Sequence, residues 1–190
     1  MRRLLLVRHA ATSATRSAAF PVDEPLDDRG LADAAAAGPR LGRAHEVLTS
    51  PSLRCVQTAA AAGLTATATE PAIAECDFGA WAGRTLAELH ADDPAGVERW
   101  MADPGAAPHD GESLSAFAAR VGAWLDGQAE LDGRAVAITH GGVVKAALVH
   151  ALGAPLDAFW RVDAAPLSIT ELHAHDGRWT VSRMNAGKRS

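Results

Sequence analysis

Cysteine is scarce in this chain: Cys55 and Cys76 are the only two among 190 residues. A single pair cannot build the disulfide framework of a small secreted domain. In a reducing cytoplasm a bond between them is disfavoured. No N-terminal stretch combines a charged start, an apolar segment and a cleavage site, since Arg2-Arg3 leads straight into a short apolar run. Nor does any apolar run approach the roughly 20 residues that a transmembrane helix needs. The expectation is a cytoplasmic protein that does not engage a membrane. An excess of positive charge is also missing. The formal net charge of -5 argues against nucleic-acid binding through broad electrostatics, so any anion site must be local. Lysine occurs only at Lys145 and Lys188, and arginine carries the remaining positive charge. That bias, like the abundance of alanine, reflects genome composition more than chemistry.

What is present suits one globular domain over residues 1–190. Hydrophobic residues make up 48% and charged residues 22%, ordinary values for a chain long enough to bury a substantial core. The organising stretch is Arg3 to Thr12, R-L-L-L-V-R-H-A-A-T. Leu4 to Val7 is long enough for one buried strand. It ends in Arg8-His9, a cation and an imidazole that are costly at the end of a buried strand unless they meet a partner or a ligand. In open α/β sheets ligands sit beyond the carboxyl ends of the strands. A second run, Ala135 to Thr139, also ends in a histidine, His140-Gly141-Gly142. Each stretch alone also reads as a strand ending in surface residues.

Ala10 to Asp28 reads as a loop. Its Arg16 fits either added charge near His9 or a solvated side chain. Gly30 to Gly42 reads as a helix and Glu46 to Thr49 as a strand. Ser50-Pro51-Ser52 then opens a helix to Ala62 with Arg54 in its first turn. A helix start attracts anions, and an arginine there adds a bidentate fork; taken alone, Arg54 reads as a solvent-facing residue. Ala66 to Ile73 reads as an edge strand, because Pro71 lacks a ladder donor. Glu75 to Gly83 and Asp103 to Gly111 read as shaped loops. Thr85–His90 and Pro94–Met101 read as short helices, and Glu112–Glu130 as an amphipathic helix. A helix over Val143–Leu152 and a helical turn over Leu156–Arg161 follow. Leu167–His175 and Trp179–Met184 form a hairpin around Asp176-Gly177.

Arg8-His9, Arg54, Glu75 and His140 thus end at one sheet edge. Two arginines and two histidines suit a dianion, and a histidine among them suggests a nucleophile that takes a phosphoryl group. Phosphoryl transfer needs mostly positioning and charge stabilisation. Glu75 is placed to protonate a leaving alcohol.

With these residues in view, the chain resembles the histidine phosphatase superfamily, with the fold of the cofactor-dependent phosphoglycerate mutases. The R-H-G motif matches Arg8-His9, with Ala10 in place of the glycine. Of the E/Q-T that follows, only Thr12 matches, since Ala11 replaces the polar residue. Leu26-Asp27-Asp28-Arg29-Gly30 approximates L-T-x-x-G. Ser50 to Ala59 matches S-x-x-x-R-x-x-Q-T-A, and Glu75 to Gly83 matches E-x-x-(F/Y)-G-x-(W/L)-x-G. Gly111-Glu112-Ser113 and Thr139 to Gly142 complete the order. The resemblance implies an α/β fold with a mixed, mostly parallel central sheet and helices on both faces. It implies that His9 is phosphorylated, that Arg8, Arg54 and His140 bind phosphate, and that Glu75 is the proton donor. Thr12, Phe78 and Trp81 are expected in substrate binding, although the aromatics fit core packing as well. Trp100 and His109 lie in loops of the same kind.

The activity expected is hydrolysis of a small phosphomonoester through a phosphohistidine, without cofactor or metal. Arginines and histidines already supply the positive charge, and Glu75 alone is too few carboxylates for a metal cage. Cys55 and Cys76 with the two histidines match no zinc-ligand spacing. A homodimer is the assembly left open. The alternatives are a phosphoglycerate mutase-type phosphotransferase and a non-catalytic module that recognises phosphoprotein. Family mutases are usually longer, and the segment between Gly83 and Glu112 is short.

Overall fold

The computed structural model describes residues 1–187, so the last three positions of the expected domain lie outside the described residues. The chain runs β1 (Arg2–Arg8), α1 (Ser13–Ser17), α2 (Asp28–Leu41), β2 (Glu46–Thr49), α3 (Leu53–Ala61) and β3 (Ala68–Thr69). It continues through α4 (Leu86–Asp92), α5 (Pro94–Ala102), α6 (Leu114–Ala129), β4 (Gly133–Thr139), α7 (Gly141–Ala151), β5 (Ile169–His175) and β6 (Arg178–Ala186).

The strands form one sheet in the order β3-β2-β4-β1-β5-β6. The β3-β2, β2-β4 and β4-β1 pairs are parallel, while β5 and β6 continue the sheet antiparallel. This is the mixed, mostly parallel sheet that the sequence predicts. Side chains alternate along each central strand, and both faces are covered. Leu4 and Leu6 of β1, with Ala135 and Ala137 of β4, pack under α6 and α7 against Phe117, Val121, Leu125 and Val144. Leu5, Val7, Val136 and Ile138 point the other way, against Leu41 of α2 and Cys55 and Ala59 of α3. Two-sided burial is why these strands read as continuous apolar runs. The β5–β6 hairpin turns at Asp176 and Gly177, both at positive φ (50° and 70°), as a two-residue turn of the primed type requires. No helix among the described residues is long and apolar enough to cross a membrane.

Two expectations are corrected. The stretch from Ala10 to Asp28 is not all loop, because it contains α1. Thr12 caps α1 through a reciprocal bond set with Thr15, and five residues are too few to show an apolar period. The edge strand is also shorter than Ala66 to Ile73. Only Leu48↔Ala68 and Thr49↔Thr69 pair with β2, and Pro71 opens a 3-10 turn to Ile73 capped by Glu70.

Candidate active site

Parallel pairing brings distant residues to one edge. Arg8 of β1 stands opposite Thr139 of β4, so Arg8-His9 and His140 leave the sheet side by side. The His9 N–H then donates to the Thr139 carbonyl at 2.8 Å. Next to β4, β2 runs into Ser50, whose N–H donates to the Ile138 carbonyl at 3.0 Å. Soon afterwards α3 begins and projects Arg54 into the interior, where it is 3% exposed. Glu75 arrives from the turn that follows β3.

Hydrogen bonds set the state of each imidazole. His9 Nδ1 lies 2.7 Å from the Ala10 carbonyl. A carbonyl only accepts, so Nδ1 carries the proton and Nε2 holds the free lone pair. Arg54 Nε donates to that Nε2 at 3.2 Å. Burial, reinforced by Arg54, pushes the His9 pKa down to about 3. His140 is fixed in the opposite tautomer. Arg54 Nη2 lies 3.1 Å from its Nδ1, and arginine can only donate. Its Nε2 therefore carries the proton, donated to Ser50 Oγ at 2.7 Å. Burial, then the neighbouring His9 ring and the charge of Arg54, hold His140 well below the ordinary histidine value. The two rings meet edge-on with centroids 5.3 Å apart.

Glu75 accepts from the backbone N–H of Cys76 at 3.1 Å and of Gly142 at 3.2 Å. Burial raises its pKa against those two bonds and against Arg54 and Arg8, which shifts the balance toward the neutral acid. The carboxyl fits there because position 142 lacks a side chain: a Cβ on Gly142 would stand 2.2 Å from Glu75 Oε1. Arg8 is anchored by Nη1 on the Ala164 carbonyl at 2.6 Å. Its Nε is buried without a partner among the described residues. An unsatisfied buried donor is costly, and an anion entering the site would satisfy it.

A cavity of about 230 Å³ opens beside these groups, with Arg8, Glu75, Phe78, Trp100, Lys145 and Trp160 in its walls. Phe78 thus lines the cavity. Trp81 is not in the cavity wall; it is buried with Leu89 and Val97, its ring 5.6 Å from those of Phe20 and Trp100. His109 is fully buried behind Phe78 and Trp81. Thr12 does not face the cavity either. It caps α1 and donates to Glu24 Oε1 at 2.9 Å, and Glu24 Oε2 lies 3.7 Å from Arg54 Nη1. Arg16 pairs with Asp27 away from the site. Cys55 Sγ sits 3.5 Å from His140 Nε2, its thiol pushed up to about 12 by burial. No group of three metal-ligating side chains occurs among the described residues.

The sequence profile of the histidine phosphatase superfamily (branch 1) matches residues 4–187. The chain belongs to this superfamily. It is 32% identical to a "Bifunctional protein" of Mycobacterium tuberculosis over 96% of this chain and 53% of that protein. It therefore spans about half the length of that relative. It is 31% identical to a glucosyl-3-phosphoglycerate phosphatase of Mycolicibacterium vanbaalenii, over 83% of this chain and 77% of the other. A mycobacterial glucosyl-3-phosphoglycerate phosphatase solved in complex with VO3 superposes with a TM-score of 0.86 at 27% identity. That match covers 98% of this chain and 100% of the other.

One departure from the superfamily pattern, Ala10, and one match, Gly30, find their reasons in the fold. Ala10 is absent from the residues with positive φ, so its methyl is accommodated, fully buried against Leu26 and Ala34. The carbonyl of Ala11 lies where a Cβ on Gly30 would come within 2.6 Å, which explains the glycine that closes Leu26–Gly30. Sequence reasoning misses the roles of three residues. Ser50 heads the S-x-x-x-R motif and holds His140. Glu112 of the G-E-S triplet grips Arg120 at 2.7 Å and 2.9 Å. Arg120 in turn donates to the carbonyls of Ala72 and Ala74 and so shapes the approach to Glu75. Lys145 is the third.

The depressed His9 value has a consequence for stability. Because the folded value lies below 6.5, the unfolded chain binds an extra proton between about pH 6.5 and pH 3. Stability from this source is present above that window and is lost as pH falls, by up to ~1.4 kcal/mol per pH unit. Denaturant unfolding from pH 7 to pH 4 should show a shallower loss for His9→Asn than for wild type. Equal slopes would mean that His9 is not held neutral.

Proposed function

We propose that this chain hydrolyses small phosphomonoesters through a phosphohistidine formed on His9. One observation carries this reading. The His9 imidazole is neutral, with its Nε2 lone pair facing the buried guanidinium of Arg54, and the half-buried Arg8 adds a second positive charge nearby.

In this reading the phosphoryl group enters between Arg8 and Arg54. Arg54 Nε gives up its bond to His9 Nε2 and turns to a phosphate oxygen, and Arg8 Nε gains the acceptor it lacks. Arg54 Nη2 likewise leaves His140 Nδ1 for the phosphate, and Nδ1 takes up the proton that a phosphomonoester monoanion brings and donates it to another oxygen, with Ser50 still holding Nε2. His9 Nε2 attacks phosphorus, the P–O bond to the alcohol breaks, and Glu75 gives its proton to the departing oxygen. Glu75, now a carboxylate, takes a proton from water as that water attacks phospho-His9. Inorganic phosphate leaves and the neutral acid is restored. Arginine forks and imidazoles bear the charge that develops on the oxygens.

Two relatives carry phosphatase names, and the segment from Gly83 to Glu112 is short, which favours hydrolysis over a mutase reaction. A silent phosphoprotein-binding module would not need a buried carboxyl whose balance is shifted toward the acid form.

Glu75 supplies the test. Glu75→Gln keeps the shape but has no proton to give. On alkyl phosphates it should lose ~10²–10⁴-fold, the usual span for a general acid. Para-nitrophenyl phosphate has a stable leaving anion, so its nitrophenolate burst should suffer much less. Equal losses in the two first steps would mean that Glu75 is not the acid, and Asp77 would be the next candidate. Gly142→Ala should act through the same group. Its Cβ displaces the Glu75 carboxyl, so alkyl phosphate turnover should fall ~10²-fold while the burst is largely kept. Normal alkyl phosphate turnover in this variant would show that Glu75 need not sit on Gly142.

A further inference from the structure

Beyond the reacting groups the cavity contains a cation that the mechanism above does not use. Lys145 lies on α7 one turn past Gly141 and Gly142, on the same face, and joins them in the wall of the same cavity. It is half-buried, and burial lowers its pKa. Its ammonium stands 5.2 Å from the centroid of the Phe159 ring. Nearby walls are aromatic: Phe78, and Trp100 edge-on to Trp160 at 4.8 Å. Among the described residues Lys145 makes no hydrogen bond and no ion pair. An ammonium in a cavity wall with no protein partner is free to take an anionic group of a ligand.

The remaining charged residue of the cavity wall, outside the reacting groups, is Asp163. It supports the charge on both Lys145 and Arg8. The lysine is a compact point charge with one carboxylate in its surroundings, a balance suited to a monoanion. For a phosphoryl dianion this protein assembles two arginines and two histidines. Lys145 follows Gly142 by three residues, a rise of ~4.5 Å along α7. A carboxylate on a two- or three-carbon chain spans such a gap from the ester oxygen.

We propose that Lys145 recognises a carboxylate on the alcohol part of the substrate, so that the preferred substrates are phosphate esters of small hydroxy acids. This rests on the hydrolase reading and narrows it. Lys145 is a specificity-determining residue here, not a catalytic one.

The test compares 3-phosphoglycerate with glycerol 3-phosphate, which differ in a carboxylate against a hydroxymethyl group. Wild type should favour the first in kcat/KM by about tenfold or more, the usual strength of a hydrogen bond to a charged group. Lys145→Met should bring the ratio close to one, and Lys145→Arg should restore it. A merely structural role would lower both substrates together and leave the ratio alone. A wild-type ratio near one, or a ratio unmoved by Lys145→Met, would overturn the proposal. Para-nitrophenyl phosphate hydrolysis by wild type reports separately on the hydrolase reading. If that is absent, calorimetric affinities of the same two ligands for wild type and Lys145→Met test the same preference: a tenfold ratio lost in the variant supports it, and an unmoved ratio overturns it.

Discussion

A buried guanidinium between two imidazoles sets the state of the whole site. Arg54 spends one N–H on His9 Nε2 and another on His140 Nδ1, and neither ring can then be a cation at no cost. Like charges at this range in a poorly solvated pocket repel strongly. Burial first, and this charge second, keep His9, the proposed nucleophile, neutral without a separate base. The anchoring of Arg54 matters as much as its charge: Nη1 donates to the Val22 carbonyl at 2.7 Å, with Glu24 close by. Thr12 acts at one remove, through Glu24.

The sheet makes this arrangement easy to hold. β1, β4 and β2 are neighbours with parallel register, so three strand ends reach the same edge without any loop having to find it. The site residues then need only short local devices. Ser50 orients His140, Ala10 orients His9, and the N–H of Gly142 at the start of α7 orients Glu75. The same α7 carries Lys145 one turn further on, so the support of Glu75 and the proposed recognition of the leaving group share one rigid element. Groups held this way lose little entropy when a ligand arrives.

Much of this is legible in the sequence because it is local. Arg8-His9 and His140 follow apolar runs that can only be buried strands, and Arg54 sits in the first turn of a helix that Pro51 announces. Pairings across long separations are not legible. Ser50 and His140 are 90 positions apart, and nothing in either motif says that one holds the other. The aromatic loop shows a different limit. Phe78 and Trp81 lie three residues apart, but the 3-10 turn Gly79–Trp81 sends one to the cavity and the other into the interior. Thr12 misleads for a related reason, since a threonine that caps a five-residue helix looks the same in sequence as one that touches a ligand. Lys145 reads in sequence as a product of composition, and only its surroundings in the fold give it a role.

The central claim is that a neutral His9 Nε2 takes the phosphoryl group, and trapping that bond is its most direct measurement. A phosphoramidate is labile in acid and stable in base. Brief mixing of the enzyme with a ³²P-labelled phosphomonoester, an alkaline quench and peptide mapping should find label on the peptide bearing His9, lost on acidification. His9→Asn should carry none and should not turn over. Label on another residue, or turnover by His9→Asn near that of wild type, would contradict the account.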